Sequence, residues 1–575
     1  MKGRDDHILQ VDGLTTSFKD IPAVDDLSFK LKKGETLGIV GESGSGKSVT
    51  ALSIMGLIRS PGSIEKGRIS FNNSGEWQDL TTLGEKEMTK YRGKHIGLIF
   101  QEPFSAFNPS YTCGSQIRES LDLHTSMPRK EAIQEVHSIL ERVGIKDPVR
   151  IYRSYPHELS GGQLQRALIA MAIICKPDVI IADEPTTALD VTVQKNVLGL
   201  FREIVSELNA SMIFISHDLG VISEVADQVL VMYRGRKMEY GSTATIFNDP
   251  QSPYTKGLLE CRPRLDRSLN RLPVIADFMD VEELGGHDWR VIERTASREE
   301  RQSLQEVRTS ENVNGSETLL EVERLTVRYP IERNIWGSVR KYLDAVDSVS
   351  FDIKRGETVG LVGESGSGKS SIGKALIRLT DFVEGSILYE GRDILPLSQK
   401  SMRPLRKKIQ MIFQDPYSTL NPRMKIGTAI AEVLKVHGYK GNVQKRVKEL
   451  LERVGLTPEV YGRYPHEFSG GQRQRISIAR TLAVEPEFII CDESVSALDV
   501  SVQAQILNLL KELQADMGLS YLFISHDLSV VKHMSDRILV LKDGKIVEEG
   551  EPEKIYISPQ HDYTKGLIDA IPGIF

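Results

Sequence analysis

Gly41-Glu42-Ser43-Gly44-Ser45-Gly46-Lys47-Ser48 recurs letter for letter as Gly363-Glu364-Ser365-Gly366-Ser367-Gly368-Lys369-Ser370. Both stretches fit the pattern G-x-x-x-x-G-K-S, whose glycines let successive backbone N–H groups turn toward phosphate oxygens. The helix that follows such a loop adds its positive N-terminus. A single match is also what a glycine-rich turn with an exposed lysine would give; the same eight residues in two copies argue for function. The chain is expected to bind two nucleotides, with Lys47 and Lys369 on the β- and γ-phosphates and Ser48 and Ser370 on Mg²⁺.

Outward from the loops the repeat continues. Ser160 and Ser469, Asp183 and Asp492, His217 and His526, and Tyr254 and Tyr563 are each 309 residues apart. The offset is 313 for Gln101 and Gln414, and 322 for the loops themselves. The extra residues of the first copy therefore fall in two intervals, loop to glutamine and glutamine to Ser160-Gly161-Gly162. A repeat of this length describes two whole domains rather than a solenoid. We expect units at 5–265 and 317–575, joined by a linker at 266–316 that is charged and ends in Asn312-Val313-Asn314-Gly315-Ser316. Within that linker Leu272–Met279 is apolar enough to dock on a domain.

Composition narrows the function. A chain of 575 residues holds more than one core. Forty per cent apolar and 26% charged residues are ordinary soluble values. A net charge of −6 gives no footprint for nucleic acid. No apolar run approaches the roughly 20 residues of a spanning helix, and the charged start, Met1 to Asp6, does not read as a signal peptide. Cys113, Cys175, Cys261 and Cys491 lack metal-site spacing, so the chain is read as cytosolic and reduced.

Short apolar runs without alternation, Val179–Ala182 and Met212–Ile215, read as strands buried on both faces of a parallel sheet. Thr36–Val40 and Thr358–Val362 enter the two loops, and Val191–Leu208 and Val500–Met517 carry helical patterns. Shorter β-rich segments open each unit: Ile8–Val11 and Leu27–Leu31, then Leu319–Val322 and Val349–Ile353. Strands alternating with helices argue for α/β units. The strand ending at Ala182 delivers Asp183 and Glu184 to its carboxyl end, where ligands of open α/β sheets sit. Asp492 and Glu493 follow Phe488–Cys491 in the same way. Two acids after a strand often make only a solvated turn; in register with a phosphate loop they suit Mg²⁺ and a general base. A lone histidine is commonly structural, but His217 and His526 each stand 34 residues after the aspartate.

Leu159-Ser160-Gly161-Gly162-Gln163 and Phe468-Ser469-Gly470-Gly471-Gln472 resemble the signature motif of ATP-binding-cassette (ABC) ATPases. Gln101 and Gln414 match that family's glutamine loop, Ala188-Leu189-Asp190 and Ala497-Leu498-Asp499 its aspartate loop, and His217 and His526 its switch histidine. The resemblance implies two tandem α/β ATPase domains, each a mostly parallel sheet with helices, an antiparallel β subdomain and a helical subdomain. It implies that Glu184 and Glu493 are catalytic bases, that Gln101 and Gln414 contact Mg²⁺, and that Phe18 and Tyr329 stack on adenine. It also implies head-to-tail pairing within the chain: Lys47 and Glu184 share a site with Ser469 and Gly471, and Lys369 and Glu493 share the other with Ser160 and Gly162. Leu164 opposite Arg473, and Pro185-Thr186-Thr187 opposite Ser494-Val495-Ser496, are departures that remove no reacting group.

Three further echoes resemble the ATPases of oligopeptide, dipeptide and nickel importers. They are Ala106-Phe107-Asn108-Pro109 with Thr419-Leu420-Asn421-Pro422, Tyr155-Pro156-His157-Glu158 with Tyr464-Pro465-His466-Glu467, and Ser252-Pro253-Tyr254-Thr255-Lys256-Gly257-Leu258 with Asp562-Tyr563-Thr564-Lys565-Gly566-Leu567. Importer ATPases of this kind imply two integral-membrane permease subunits and, through them, an extracytoplasmic solute-binding protein, with the chain peripheral on the cytoplasmic face of a bacterial inner membrane. Some relatives carry an iron–sulfur cluster on clustered cysteines; with Cys261 alone in that neighbourhood, none is expected here. The surface after each glutamine, including Phe104, Phe107, Tyr417 and Leu420, is expected to be an exposed cleft that grips a permease helix. The alternative class is a soluble tandem ABC ATPase acting on ribosomes or in DNA repair. A long basic linker would mark the first and zinc-spaced cysteines the second, and the sequence shows neither.

Overall fold

The computed structural model describes residues 6–73, 75–186, 190–265, 267, 269–285, 287–294, 317–333, 339–496 and 498–573. Of the motifs read above, Thr187, Ala188, Leu189, Ala497 and Asn312–Ser316 lie outside these residues.

Each half carries a six-stranded sheet. In the first, the order is Arg236–Ser242, Gln228–Tyr233, Thr36–Val40, Ser211–Ile215, Val179–Asp183 and Ile96–Ile99. The second repeats it with Lys545–Gly550, Arg537–Lys542, Thr358–Val362, Ser520–Ile524, Phe488–Asp492 and Ile409–Ile412. All neighbours are parallel except the outermost pair, Arg236–Ser242 on Gln228–Tyr233 and its counterpart. Thr36–Val40 and Val179–Asp183 are buried at every position, as non-alternating apolar strands must be when helices cover both faces.

An antiparallel sheet of four strands flanks each parallel one. Its long strands, His7–Phe18 with Ile21–Lys32 and Thr318–Arg333 with Val339–Lys354, run well beyond the short segments expected from sequence. Register shifts, such as those between Val11 and Leu14 and between Val322 and Leu325, break the period-two alternation that would have marked the remainder. Helices Cys113–His124, Arg129–Arg142 and Pro148–Arg153 fill the interval between Gln101 and Ser160, with Ile426–Val436 and Val443–Arg453 in the second half.

One buried apolar cluster runs through both halves, from Val40 and Leu200 to Leu509 and Ile571. The stretch read as a linker supplies part of it. Leu272, Val274 and Ile275 are buried, and a two-stranded hairpin, Met279–Gly285 with Asp288–Glu293, follows. Trp289 meets Tyr233 edge to face at 5.5 Å, and Arg236 lies over its indole. The Leu272 N–H also donates to Asn508 Oδ1 of the second half at 2.9 Å, and its carbonyl accepts from Asn508 Nδ2 at 2.8 Å. In return, the second half places the Asp569 carbonyl on Lys195 and the Pro572 carbonyl on Arg262.

Candidate active sites

In each half the central buried strand runs into a glycine turn that opens helix Lys47–Ile54 or Lys369–Leu376. Gly46 and Gly368 take φ of 99° and 106°, and a Cβ there would stand 2.5 Å from the Ala23 carbonyl oxygen or 2.3 Å from that of Ala345. Only glycine fits. The lysine tail folds back over the loop. Lys47 Nζ donates to the carbonyls of Gly41 (2.8 Å) and Glu42 (2.9 Å), and Lys369 Nζ to those of Gly363 (2.7 Å) and Glu364 (2.8 Å). Burial pushes both ammonium groups below their ordinary pKa, while nearby carboxylates, Glu184 and Asp499 for Lys47 and Glu493 and Asp190 for Lys369, pull them back. Ser45 Oγ and Ser367 Oγ are buried with no hydrogen-bond partner among the described residues. Unpartnered donors in a loop of inward-turned N–H groups fit phosphate oxygens.

Ser48 Oγ donates to Asp183 Oδ1 at 3.0 Å, and Ser370 Oγ to Asp492 Oδ1 at 2.8 Å. Burial pushes the Asp183 carboxyl up to about 6, against the pull of the Ser48 bond, and raises Asp492 in the same way. A hydroxyl and a buried carboxylate that is costly to leave charged form a donor set suited to a hard divalent cation.

The next residue in each unit converges on two others. Gln101 Nε2 donates to Glu184 Oε2 at 3.0 Å, and His217 Nδ1 lies 3.1 Å from the same oxygen. Gln414 Nε2 reaches Glu493 Oε2 at 2.7 Å, with His526 Nδ1 3.6 Å from Oε1. Burial works against the charged imidazoles, yet the glutamate bond and charge hold both histidines above their ordinary pKa. For Glu493, burial is outweighed by the His526 bond and charge, and its carboxyl sits below the usual range. Glu184 and Glu493 take φ of 47° and 45°, a left-handed conformation costing about 1–3 kcal/mol in a non-glycine residue. Their N–H groups donate to the Ile215 and Ile524 carbonyls of the neighbouring strand, which holds the strained turn in place.

Ser160 and Ser469 cap helices Gly161–Ile173 and Gly470–Leu482, each accepting from the N–H of Gln163 or Gln472 while that glutamine's Oε1 accepts in return. Ser160, Gly161, Ser469 and Gly470 are exposed. Among the described residues no hydrogen bond joins either motif to the opposite phosphate loop. A cavity of about 560 Å³ beside Lys369 is lined by Gln414, Glu493 and His526 and by Gly470 of the same unit. At the phosphate loops, the contacts that cross between units come from the aspartate loops and the helix after the second: Ser501 Oγ donates to the Glu42 carboxylate, Asp499 acts on Lys47 and Asp190 on Lys369.

The aromatic candidates separate. Phe18 is exposed, its ring over Gly62, where a Cβ would come within 2.6 Å. Tyr329 is half-buried against the core of the second unit. The expected cleft surface needs correction. Phe104 and Tyr417 are 57% and 63% exposed, but Phe107 and Leu420 are 3% and 2% exposed and belong to the core. The short helices Pro103–Ala106 and Pro416–Thr419 end just before these two residues, and the extended backbone that follows turns both side chains inward. Sequence reasoning also missed two supports of the loops. The Tyr254 hydroxyl accepts the Glu42 N–H at 3.1 Å, and that of Tyr563 the Glu364 N–H at 2.9 Å. Their shared 309-residue offset with the reacting groups was the available signal.

Comparison with known proteins agrees with this geometry. The family model described as ABC transporter matches residues 24–187 and 346–496. A second, described as the C-terminal region of oligopeptide/dipeptide transporters, matches 238–284 and 547–574. The glutathione import ATP-binding protein GsiA of Salmonella paratyphi A is 46% identical over 574 residues, covering 98% of this chain and 89% of that protein. The protein of the same name from Escherichia coli K12 is 46% identical over 579 residues, covering 98% and 90%.

Proposed function

Since this chain belongs to the ABC transporter family, we propose that Lys47, Ser48, Gln101, Asp183, Glu184 and His217 form one ATP-hydrolysing site and Lys369, Ser370, Gln414, Asp492, Glu493 and His526 the other. The chain is an import ATPase: it hydrolyses ATP to power uptake through membrane subunits, and the soluble ribosome- or repair-type reading is not favoured. No helix among the described residues is long and apolar enough to cross a membrane.

The carrying observation is that a glutamine and a histidine converge on one glutamate carboxylate beside a serine–aspartate pair, twice. Bound Mg²⁺ would neutralise charge on the β- and γ-phosphates. Ser48 with Asp183, and Ser370 with Asp492, would hold it, with Gln101 and Gln414 beside them. Glu184 and Glu493 orient the attacking water and take its proton. The histidines steady those carboxylates, and the lysines cradle the phosphate chain. Residues 41–48 and 363–370 bind phosphates through their N–H groups, and Phe18 and Tyr329 border the adenine.

The units are 5–265 and 317–575, and the described part of 266–316 bridges them, with its hairpin on the first and Leu272 bonded to Asn508 of the second. Ser160–Gln163 and Ser469–Gln472 complete the opposite sites once the units close on ATP. The exposure of both motifs and the placing of Asp499 and Asp190 beside the opposite lysines support this reading. The partners are two integral-membrane permease subunits and an extracytoplasmic solute-binding protein, with this chain on the cytoplasmic face of the membrane. The relatives' name points to glutathione or another short peptide as cargo, chosen by subunits other than this one. Changing Glu184→Gln and Glu493→Gln together should lower turnover by about 10²–10⁴-fold and leave ATP binding intact. Near-normal turnover would remove both glutamates from the role of base.

A further inference from the structure

Between Gln414 and the signature helix, the second unit contains contacts that the first does not. Arg473 directly follows Gln472 and is only 5% exposed. Its Nε donates to the Pro465 carbonyl at 2.7 Å, and its guanidinium carbon stands 3.6 Å from the centre of the Tyr417 ring. Two turns further on, Arg480 Nη1 donates to the Thr419 carbonyl at 2.6 Å. Tyr417 and Thr419 lie on the short helix that begins two residues after Gln414, and Gln414 holds Glu493. One continuous set of contacts thus joins the reacting carboxylate to the signature motif.

At the matching positions the first unit has Leu164, Met171, Phe104 and Ala106. Leu164 is wholly buried and Met171 packs on the core; Phe104 is exposed as Tyr417 is, but among the described residues no cation lies over its ring. The arginine common to both signature helices, Arg166 or Arg475, bonds elsewhere, to the Val143 or Val454 carbonyl. The tie in the second unit is therefore additional to the shared architecture.

We infer that Arg473 and Arg480 are positioning residues that latch the glutamine segment of the second unit to its own signature helix, so that Ser469–Gln472 is tied to Gln414 by directed polar contacts while Ser160–Gln163 is joined to the segment after Gln101 by apolar packing alone. A cation held over an aromatic face and a guanidinium bonded to a carbonyl fix direction as well as distance. The effect on turnover rests on the ATPase reading above; the latch itself does not.

The test converts the second unit to the residues of the first, Arg473→Leu with Arg480→Met, which the same fold accepts at 164 and 171. In the full chain, amide exchange over 416–420 should rise about tenfold, toward the rate of 103–107, while the rest of the second unit keeps its protection. With Mg-ATP, kcat should fall and KM stay within about twofold, the pattern of an interaction made in the transition state. Tyr417→Leu should reproduce the effect, and Tyr417→Phe, which keeps the ring, should not. The proposal is overturned by unchanged exchange at 416–420, by loosening throughout the second unit, by unaltered kcat, or by Tyr417→Phe behaving like Tyr417→Leu. An unmodified chain without turnover would refute the ATPase reading, and exchange would still decide the latch.

Discussion

The two units hold the same reacting groups at nearly the same distances, yet they are propped from outside in different ways. Lysine to loop carbonyl, serine to aspartate and glutamine to glutamate agree within a few tenths of an ångström. Beyond those groups the likeness is partial: the tyrosine bonds to the loops recur, while the histidines lie 3.1 and 3.6 Å from their glutamates. The loop of the first unit is gripped by Ser501 from the second unit, and among the described residues no matching bond joins Thr192 to Glu364. Gln165 donates to the Pro185 carbonyl, whereas Gln474 Nε2 is buried with no hydrogen-bond partner among the described residues. A hairpin stacks on Tyr233 in the first unit, and arginines tie Tyr417 and Thr419 in the second. Duplication has kept the chemistry and let its supports diverge.

The largest expected effect separates core from surface after each glutamine. Phe107→Ala should cost about 3–5 kcal/mol and Leu420→Ala about 2–5 kcal/mol of stability, because each leaves a cavity in a packed core. Phe104→Ala, which removes an exposed ring, should leave the thermal midpoint unchanged and weaken recruitment by the permease subunits. Thermal unfolding and co-purification with those subunits check the set. A midpoint loss for Phe104→Ala equal to that for Phe107→Ala would break the comparison.

A smaller effect is expected at the loop contact. Ser501→Ala leaves the half-buried Glu42 carboxylate without its donor, and an unmet partner of this kind costs about 1–3 kcal/mol. ATP affinity at the site of Lys47 should fall by about fivefold, the lower end of that range, or more, while Thr192→Ala should leave the other site unchanged. Titration of nucleotide into variants with one site disabled reads each separately. Equal losses from both substitutions would make the asymmetry immaterial.

The smallest effect is one the units share. Burial raises Asp183 to about 6 and Asp492 in the same direction. A raised carboxyl contributes stability that is complete below its unfolded pKa of about 3.9 and is lost as pH climbs through the folded value. Without nucleotide or magnesium, these two carboxyls should therefore contribute a loss of stability from about pH 4 to above pH 6, set against the opposite slope of carboxyls held low, such as Glu493 and Glu487. Asp183→Asn with Asp492→Asn should remove their contribution to the slope in thermal unfolding, and an unchanged slope would contradict the assignment.

Most of the reacting groups were legible because they stand on elements with strong local signals. Val179–Asp183 is an unbroken apolar run before its acids, and Val191–Leu208 and Val500–Met517 begin and end where their patterns do. The antiparallel strands were under-read because bulges interrupt alternation. Phe107 and Leu420 were misplaced because a side chain just after a proline-started turn has no period to show which way it faces. Ser501 on Glu42 could not be read locally at all, since 459 residues separate them.

The central claim is that one unit's signature serves the other unit's ATP. With cysteines in place of Ser45 and Ser469, and Glu184→Gln and Glu493→Gln to hold ATP uncleaved, a short bifunctional thiol reagent should join the two positions within one chain when Mg-ATP is added. Crosslinking between positions 45 and 160 in place of 45 and 469 would contradict the account.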